Sequence, residues 1–193
     1  AIVGCGVQGR TSLMALTEVL PELRSVACYD LFPEATAKYI AELQPQFPKL
    51  RLETAANAVE AARAADVVVT AIPIVEAPEP DLDAGALKEG GLAVSLDYDS
   101  AWTSAAMKEC DKYCSDDIGQ MLTTKEHGVY LGGIPEVVYA DLGELAAGLK
   151  PGRENDTERI FSMNMGIAVD DMVTAKVIYE RALERGAGVR LPL

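Results

Sequence analysis

The sequence predicts an α/β protein of the Rossmann type, a doubly wound and mostly parallel sheet with helices on both faces. Three observations predict it. The chain opens with a short strand that runs into a glycine-rich turn, Ala1-Ile2-Val3-Gly4-Cys5-Gly6-Val7-Gln8-Gly9-Arg10. An acid, Asp30, follows about twenty residues beyond that turn, at the end of a second apolar run, which is the spacing of a dinucleotide-binding βαβ unit. Further on, Val67-Val68-Val69 begins a β-branched run without polar alternation, as expected of a parallel strand covered on both faces.

The elements follow in order. Ile2 and Val3 are strand formers, and residues 11–20 carry an apolar stripe of Leu13, Leu16 and Leu20 that Pro21 stops. Residues 26–29 form the second strand. Pro33 sits at the first turn of a helix over residues 33–43, which Pro45 and Pro48 end. Residues 50–54 alternate as a short strand, an alanine-rich helix spans 55–65, and residues 66–72 form the fourth strand. After a proline-rich loop, Gly90-Gly91 introduces a strand over 92–96 that runs into Asp97-Tyr98-Asp99. Residues 101–113 read as a helix containing Trp102. A short helix starts at Asp141 and ends at Gly148, a strand covers 159–165, and a long amphipathic helix covers 169–184 with Gly186 as its stop. The 193 residues fit one domain, residues 1–193.

Each position of the turn has a mechanical reason. Gly4 permits the tight exit from the first strand, Gly6 lets the backbone approach a pyrophosphate, and Gly9 lets the next helix pack closely on the sheet. Val7 and Gln8 stand at the helix N-terminus, whose N–H groups and dipole favour phosphate, and the Gln8 side chain can reach the phosphates or ribose. Asp30 accepts hydrogen bonds from a ribose 2′-OH and repels a 2′-phosphate. No Arg or Lys follows in Leu31-Phe32-Pro33-Glu34, so the expected cofactor is NAD rather than NADP. Thr70, Ala71 and Ile72 end the fourth strand on the ligand side of the sheet and are expected to face the cofactor. Asp97 and Asp99 end the next strand on that side. Either is a candidate catalytic acid, and a cap on the 101–113 helix at Asp99 or Ser100 is the competing structural role.

Composition excludes several classes. A formal net charge of −13 lacks the basic footprint that nucleic acid or an anionic membrane requires. No apolar run approaches the ~18 residues of a membrane span. The four cysteines, Cys5, Cys28, Cys110 and Cys114, and the single histidine, His127, make no metal or redox spacing, so no metal is expected. Cys110 and Cys114 stand at helical i,i+4 spacing. Reduced thiols in a cytoplasmic protein are the expected state. Only three residues precede the first glycine, and the first is not Met, so a longer parent chain is expected.

Four stretches together resemble the NAD-binding portion of the ornithine cyclodeaminase and mu-crystallin family. They are the opening turn with Gln8, residues 65–71, residues 140–153 with Ala140-Asp141-Leu142-Gly143-Glu144-Leu145, and Asn164-Met165-Gly166-Ile167-Ala168-Val169-Asp170-Asp171 leading into Tyr179-Glu180-Arg181-Ala182. The resemblance implies a catalytic carboxylate at Asp99 that handles protons at the substrate's amine-bearing carbon. This sequence departs from the family pattern nearby, with Leu92 for His, Val94 for Asn and Asp97 for Gly. The resemblance further implies a substrate and dimerisation domain built from a preceding region and the C-terminal segment 169–193, and a homodimer in the full-length protein.

The implied activity is that of an ornithine cyclodeaminase acting on an amino acid, with hydride passed to NAD and returned within one turnover. An amino-acid dehydrogenase or ketimine reductase is the alternative within the family. A non-catalytic NAD(H) or small-ligand binding protein is the alternative outside enzymes.

Overall fold

The computed structural model describes residues 1–128 and 131–191. Among these residues eight strands form one sheet in which every pairing is parallel. In chain order the elements are β1 (Ile2–Val3), α1 (Val7–Val19), β2 (Ser25–Tyr29), α2 (Pro33–Leu43), β3 (Arg51–Thr54), α3 (Ala58–Arg63), β4 (Val67–Thr70), β5 (Leu92–Ser95), α4 (Ser104–Lys108), β6 (Lys112–Ser115), α5 (Ile118–His127), β7 (Ala140–Asp141), α6 (Leu142–Ala146), β8 (Ile160–Met163) and α7 (Ala168–Glu184). The spatial order is β3-β2-β1-β4-β5-β8-β6-β7. The winding direction reverses between β1 and β4, so a crevice opens at the carboxyl ends of those two strands.

Strand side chains alternate between faces, and the core accordingly divides in two. Ile2, Leu13, Val26, Cys28, Tyr39 and Val69 pack on one face. Val3, Val68, Ala93, Trp102, Met107 and Phe161 pack on the other. Neighbours in sequence, Ile2 and Val3 or Val68 and Val69, thus serve opposite cores, which is why β1 and β4 are apolar at successive positions.

Several elements differ from expectation. The glycine-turn helix begins at Val7 rather than residue 11, because Gly6 already serves as its N-cap. The helix expected over 55–65 is shortened to Ala58–Arg63, where the Asn57 side chain accepts from Glu60 N at 2.8 Å. The helix expected over 101–113 is only α4, and its last residues belong to β6. Asp111 N donates to Arg159 O and Arg159 N donates to the Asp111 carboxylate, which steers the chain into the sheet beside β8. Trp102 precedes α4 and bridges Leu82 instead of riding on a helix. Cys110 and Cys114 are therefore not on one helical face; Cys114 lies in β6. The helix α5 and the strand β7 add to what the pattern predicts, and Asp117 caps α5 by accepting from Gln120 N at 2.7 Å.

None of the residues of α7 is buried, and Val169, Met172, Val173, Ile178 and Tyr179 are exposed along it. The final two residues of the expected C-terminal segment lie outside the described residues.

Phe161 holds the second core together. Its ring stacks on Tyr113 at 5.2 Å and meets Trp102 edge-on at 5.5 Å. Phe161→Ala is expected to lower unfolding free energy by about 3–5 kcal/mol, read from urea denaturation.

Candidate functional site

The crevice is built on the glycine turn. Gly4 has φ +101°, and a Cβ there would lie 2.4 Å from Ala71 O, so only glycine lets β1 leave the sheet against the end of β4. At Gly9 a Cβ would lie 2.1 Å from Gly4 O, which accounts for the close seat of α1 on the turn. At Gly6 a Cβ would meet no protein atom within 4 Å. The space over Gly6 is open, and no side chain caps α1 or places an acid in its first turn. That leaves a thirteen-residue helix with its positive end directed at an open cradle.

Asp30 is anchored to the turn. Its Oδ2 accepts from Cys5 N at 2.8 Å and its Oδ1 accepts from Phe32 N at 3.0 Å. Each oxygen keeps a lone pair for a further donor. A cleft of about 590 Å³ runs along Gly4, Gly6, Asp30, Phe32, Ala71 and Ile72. Pro73, Glu79 and Asp81 from the loop after β4, and Ser100 and Ala101 after β5, line the same cleft. Cys5 also lines it, but burial pushes its thiol up to about 11, so it stays protonated and unreactive.

Of the residues singled out from sequence, Gly4, Gly6, Asp30, Ala71 and Ile72 meet on the cleft wall. Val7 and Gln8 are exposed on the first turn of α1 and do not line it. Gly9 and Thr70 are buried behind it. Leu31 and Phe32, both exposed beside Asp30, escaped the sequence reading. The available signal was an aromatic residue directly after the strand-ending acid, in a stretch that otherwise reads as a plain loop. Asp116 also escaped it. Its Oδ2 accepts from Met165 N at 2.7 Å and Gly166 N at 2.6 Å, pinning the segment between β8 and α7 on the ligand side of the sheet.

The two acids after β5 have different surroundings. Asp97 is fully buried. Thr70 Oγ1 donates to its Oδ1 at 2.9 Å, Ser95 Oγ lies 2.8 Å from the same oxygen, and Ile72 N donates to Oδ2 at 3.1 Å. Trp102 Nε1 in turn donates to Thr70 Oγ1 at 3.2 Å. Burial raises the Asp97 carboxyl above its ordinary range, and these hydrogen bonds pull against the rise. Asp97 is therefore an internal tie between β4 and β5, with both oxygens hydrogen-bonded.

Asp99 is half-buried on the turn that follows, and its Oδ1 is buried with no hydrogen-bond partner among the described residues. It caps no helix: Thr103 Oγ1 caps α4 by accepting from Ala106 N at 3.2 Å. Asp99 does not itself line the cleft, although its neighbours Ser100 and Ala101 do.

Open cradle, switch point and strand-end acid define a nucleotide-binding α/β domain of the doubly wound class. The chain belongs to the ornithine cyclodeaminase/mu-crystallin family, which it matches over residues 1–186. It is 31% identical, over all of its length and 57% of the relative's, to N-((2S)-2-amino-2-carboxyethyl)-L-glutamate dehydrogenase of Staphylococcus aureus. Among solved structures it is similar to the Δ1-pyrroline-2-carboxylate reductase of Thermococcus litoralis in complex with NADH and L-proline. That likeness has a TM-score of 0.81 and 30% identity over 98% of this chain and 59% of that one. An archaeal alanine dehydrogenase dimer with bound NAD aligns at a TM-score of 0.82 and 28% identity, over 100% of this chain and 59% of that one. The chain thus spans somewhat under six-tenths of the length of the curated relative.

Asp97 makes a testable contribution to pH dependence. Because its folded-state value lies above the ordinary 3.8, its contribution is fully present below that pH and is lost as pH rises through the raised value. Asp97→Asn removes this loss. The stability of the variant relative to the parent is expected to increase from acid to neutral pH, by about 1.4 kcal/mol for each unit of upward displacement. Urea unfolding of both proteins across that range measures it.

Proposed function

We propose that this chain is the NAD(H)-binding portion of an enzyme that transfers hydride at the nitrogen-bearing carbon of an amino acid or its imine. The observation that carries the reading is the contrast between the two strand-end acids. Both Asp97 oxygens are tied into the sheet by hydrogen bonds, whereas Asp99, beside the cleft, has a buried carboxylate oxygen without a partner among the described residues. A proton-handling group needs such spare capacity.

The cradle fits the cofactor on the chain's own geometry. Gly4 and Gly6 with the first turn of α1, Val7 and Gln8, hold the pyrophosphate; Gly9 and Thr70 support that wall from behind. Asp30 takes the adenosine ribose hydroxyls and selects NAD over NADP, with Phe32 beside it. Ala71 and Ile72 line the path between. Bound NAD supplies the hydride acceptor or donor, and the protein supplies orientation and electrostatics. Asp99 takes up or supplies the proton on the substrate's nitrogen as the hydride moves at the adjoining carbon. The bare apolar residues of α7 suit a segment that joins residues 169–193 to a substrate and dimerisation region in a homodimer.

A cyclodeaminase shares this first hydride step and then returns the hydride after ammonia is lost and the ring closes. The four stretches that resemble the family support that second reading. The two are separated by NADH absorbance with amino-acid substrates in the whole protein: net NADH accumulation supports a dehydrogenase and overturns cyclodeamination, whereas a cyclic amino acid without net NADH does the reverse.

Gly6→Ala is expected to weaken NADH binding roughly tenfold or more, about 1.4 kcal/mol, because the new methyl occupies the cradle. It should change stability by no more than about 1 kcal/mol, since that methyl meets no protein atom. Fluorescence titration and urea unfolding read the two effects, and NADH should bind more tightly than NADPH in the parent.

Asp99→Asn is expected to lower kcat roughly a hundredfold to ten-thousandfold while leaving the NADH dissociation constant near that of the parent. Unchanged turnover of a confirmed substrate would remove Asp99 from the mechanism.

A further inference from the structure

Leu31 and Phe32 belong to neither core and stand 75% and 60% exposed on the wall of the cleft. Scattered apolar residues on a surface are ordinary, but two large ones side by side on a cleft wall mark a place where a ligand is received. The position of Phe32 in the chain adds a second observation. It is the N-cap residue of α2, and its side chain makes no capping hydrogen bond. By contrast α3, α4, α5 and α6 begin on Asn57, Thr103, Asp117 and Asp141, whose side chains each accept from a helix N–H. An aromatic ring in that place forgoes the stabilisation that a short polar side chain gives a helix start.

The backbone of Phe32 is fixed from both sides. Its N–H donates to Asp30 Oδ1 at 3.0 Å, and its carbonyl accepts from Ala35 N at 2.9 Å in the first turn of α2. Asp30 is itself held by Cys5 N, so the carboxylate and the Phe32 backbone stand in a fixed relation to the glycine turn. Ala35 and Ala58 line the same cleft, and their small side chains leave room for a flat group. Tyr29, the other aromatic residue on the cleft, packs against the core. Among the described residues that line the cleft, Phe32 is therefore the ring with a face left open.

We propose that Phe32 supplies the face against which the adenine base of the dinucleotide rests, so that one tied pair receives the adenosine, the Asp30 carboxylate its ribose and the Phe32 ring its base. This rests on the reading of the cleft as an NAD(H) site. A ribose whose hydroxyls meet Asp30 carries its base on the adjoining carbon, which brings the base against the residues that flank that acid. Both faces of adenine are flat, and a phenylalanine ring stacks on them without a hydrogen bond of its own to satisfy. The affinity that Phe32 contributes then extends to any ligand with adenine on that ribose, ADP-ribose as well as NADH.

Phe32→Ala removes an exposed ring, so the variant should fold with an unchanged urea midpoint. It is expected to bind NADH and ADP-ribose more weakly by the same factor, roughly fivefold to a hundredfold, read from NADH fluorescence and its displacement by ADP-ribose. Phe32→Tyr keeps the flat ring and should retain parental affinity, whereas Phe32→Leu keeps apolar bulk without the ring and should remain weakened. The direct readout is the set of nuclear Overhauser contacts between the Phe32 ring protons and the adenine C2 and C8 protons of bound NADH. Protein with ring-labelled phenylalanine carries only Phe32, Phe47 and Phe161, and Phe32→Tyr assigns the signal by removing it. NADH bound without those contacts overturns the proposal, as does parental affinity in Phe32→Ala or Phe32→Leu. A parent protein that binds neither NADH nor ADP-ribose overturns the NAD(H) reading itself.

Discussion

The buried carboxyl of Asp97 is the constraint on which the rest of the ligand face depends. It draws together a hydroxyl from the end of β4, a hydroxyl from the end of β5 and the backbone N–H of Ile72. That knot sets where Ala71 and Ile72 lie, and Gly4 rests directly against Ala71. The turn that starts α1 is therefore shaped from two sides, by Asp97 through the β4 end and by Asp30 through Cys5 N. A carboxyl without a cation partner is costly to bury, and here the cost is offset by converging neutral donors.

The same knot separates the roles of neighbouring acids. Asp97 and Asp99 are two residues apart on one turn, yet one faces three donors and the other presents an oxygen to none. In sequence they are interchangeable: both end a strand on the ligand side and both stand before a helix. The Asp97 knot also links the end of β4, through Thr70, to the aromatic stack of Trp102, Phe161 and Tyr113.

Legibility followed the range of the interactions involved. Gly4, Gly6, Gly9 and Asp30 were readable because their reasons are local, a turn, a cradle and a helix seat within one βαβ unit. The helix over 33–43 was readable to the residue, since Pro33 and the prolines beyond it punctuate it. The strand β6 was not. Lys112-Tyr113-Cys114-Ser115 has no apolar run, and the preceding Ala105-Ala106-Met107-Lys108 favours helix; β-pairing with β8 and β7 overrides that local preference. Asp116 was missed for a related reason, because the backbone groups it holds, Met165 N and Gly166 N, lie far along the chain, whereas the signal at Phe32 was local.

The sequence by itself determined the doubly wound class, the glycine turn and its acid, and the end of the sheet at which a ligand site forms, because periodicity and backbone sterics act over a few residues. Only the tertiary structure decided that Asp97 is an internal tie while Asp99 retains an unpartnered oxygen, and that Tyr113 belongs to the sheet rather than to a helix. Those outcomes depend on donors and rings from β4, β6 and β8, which lie far apart along the chain and meet only when the sheet closes around them.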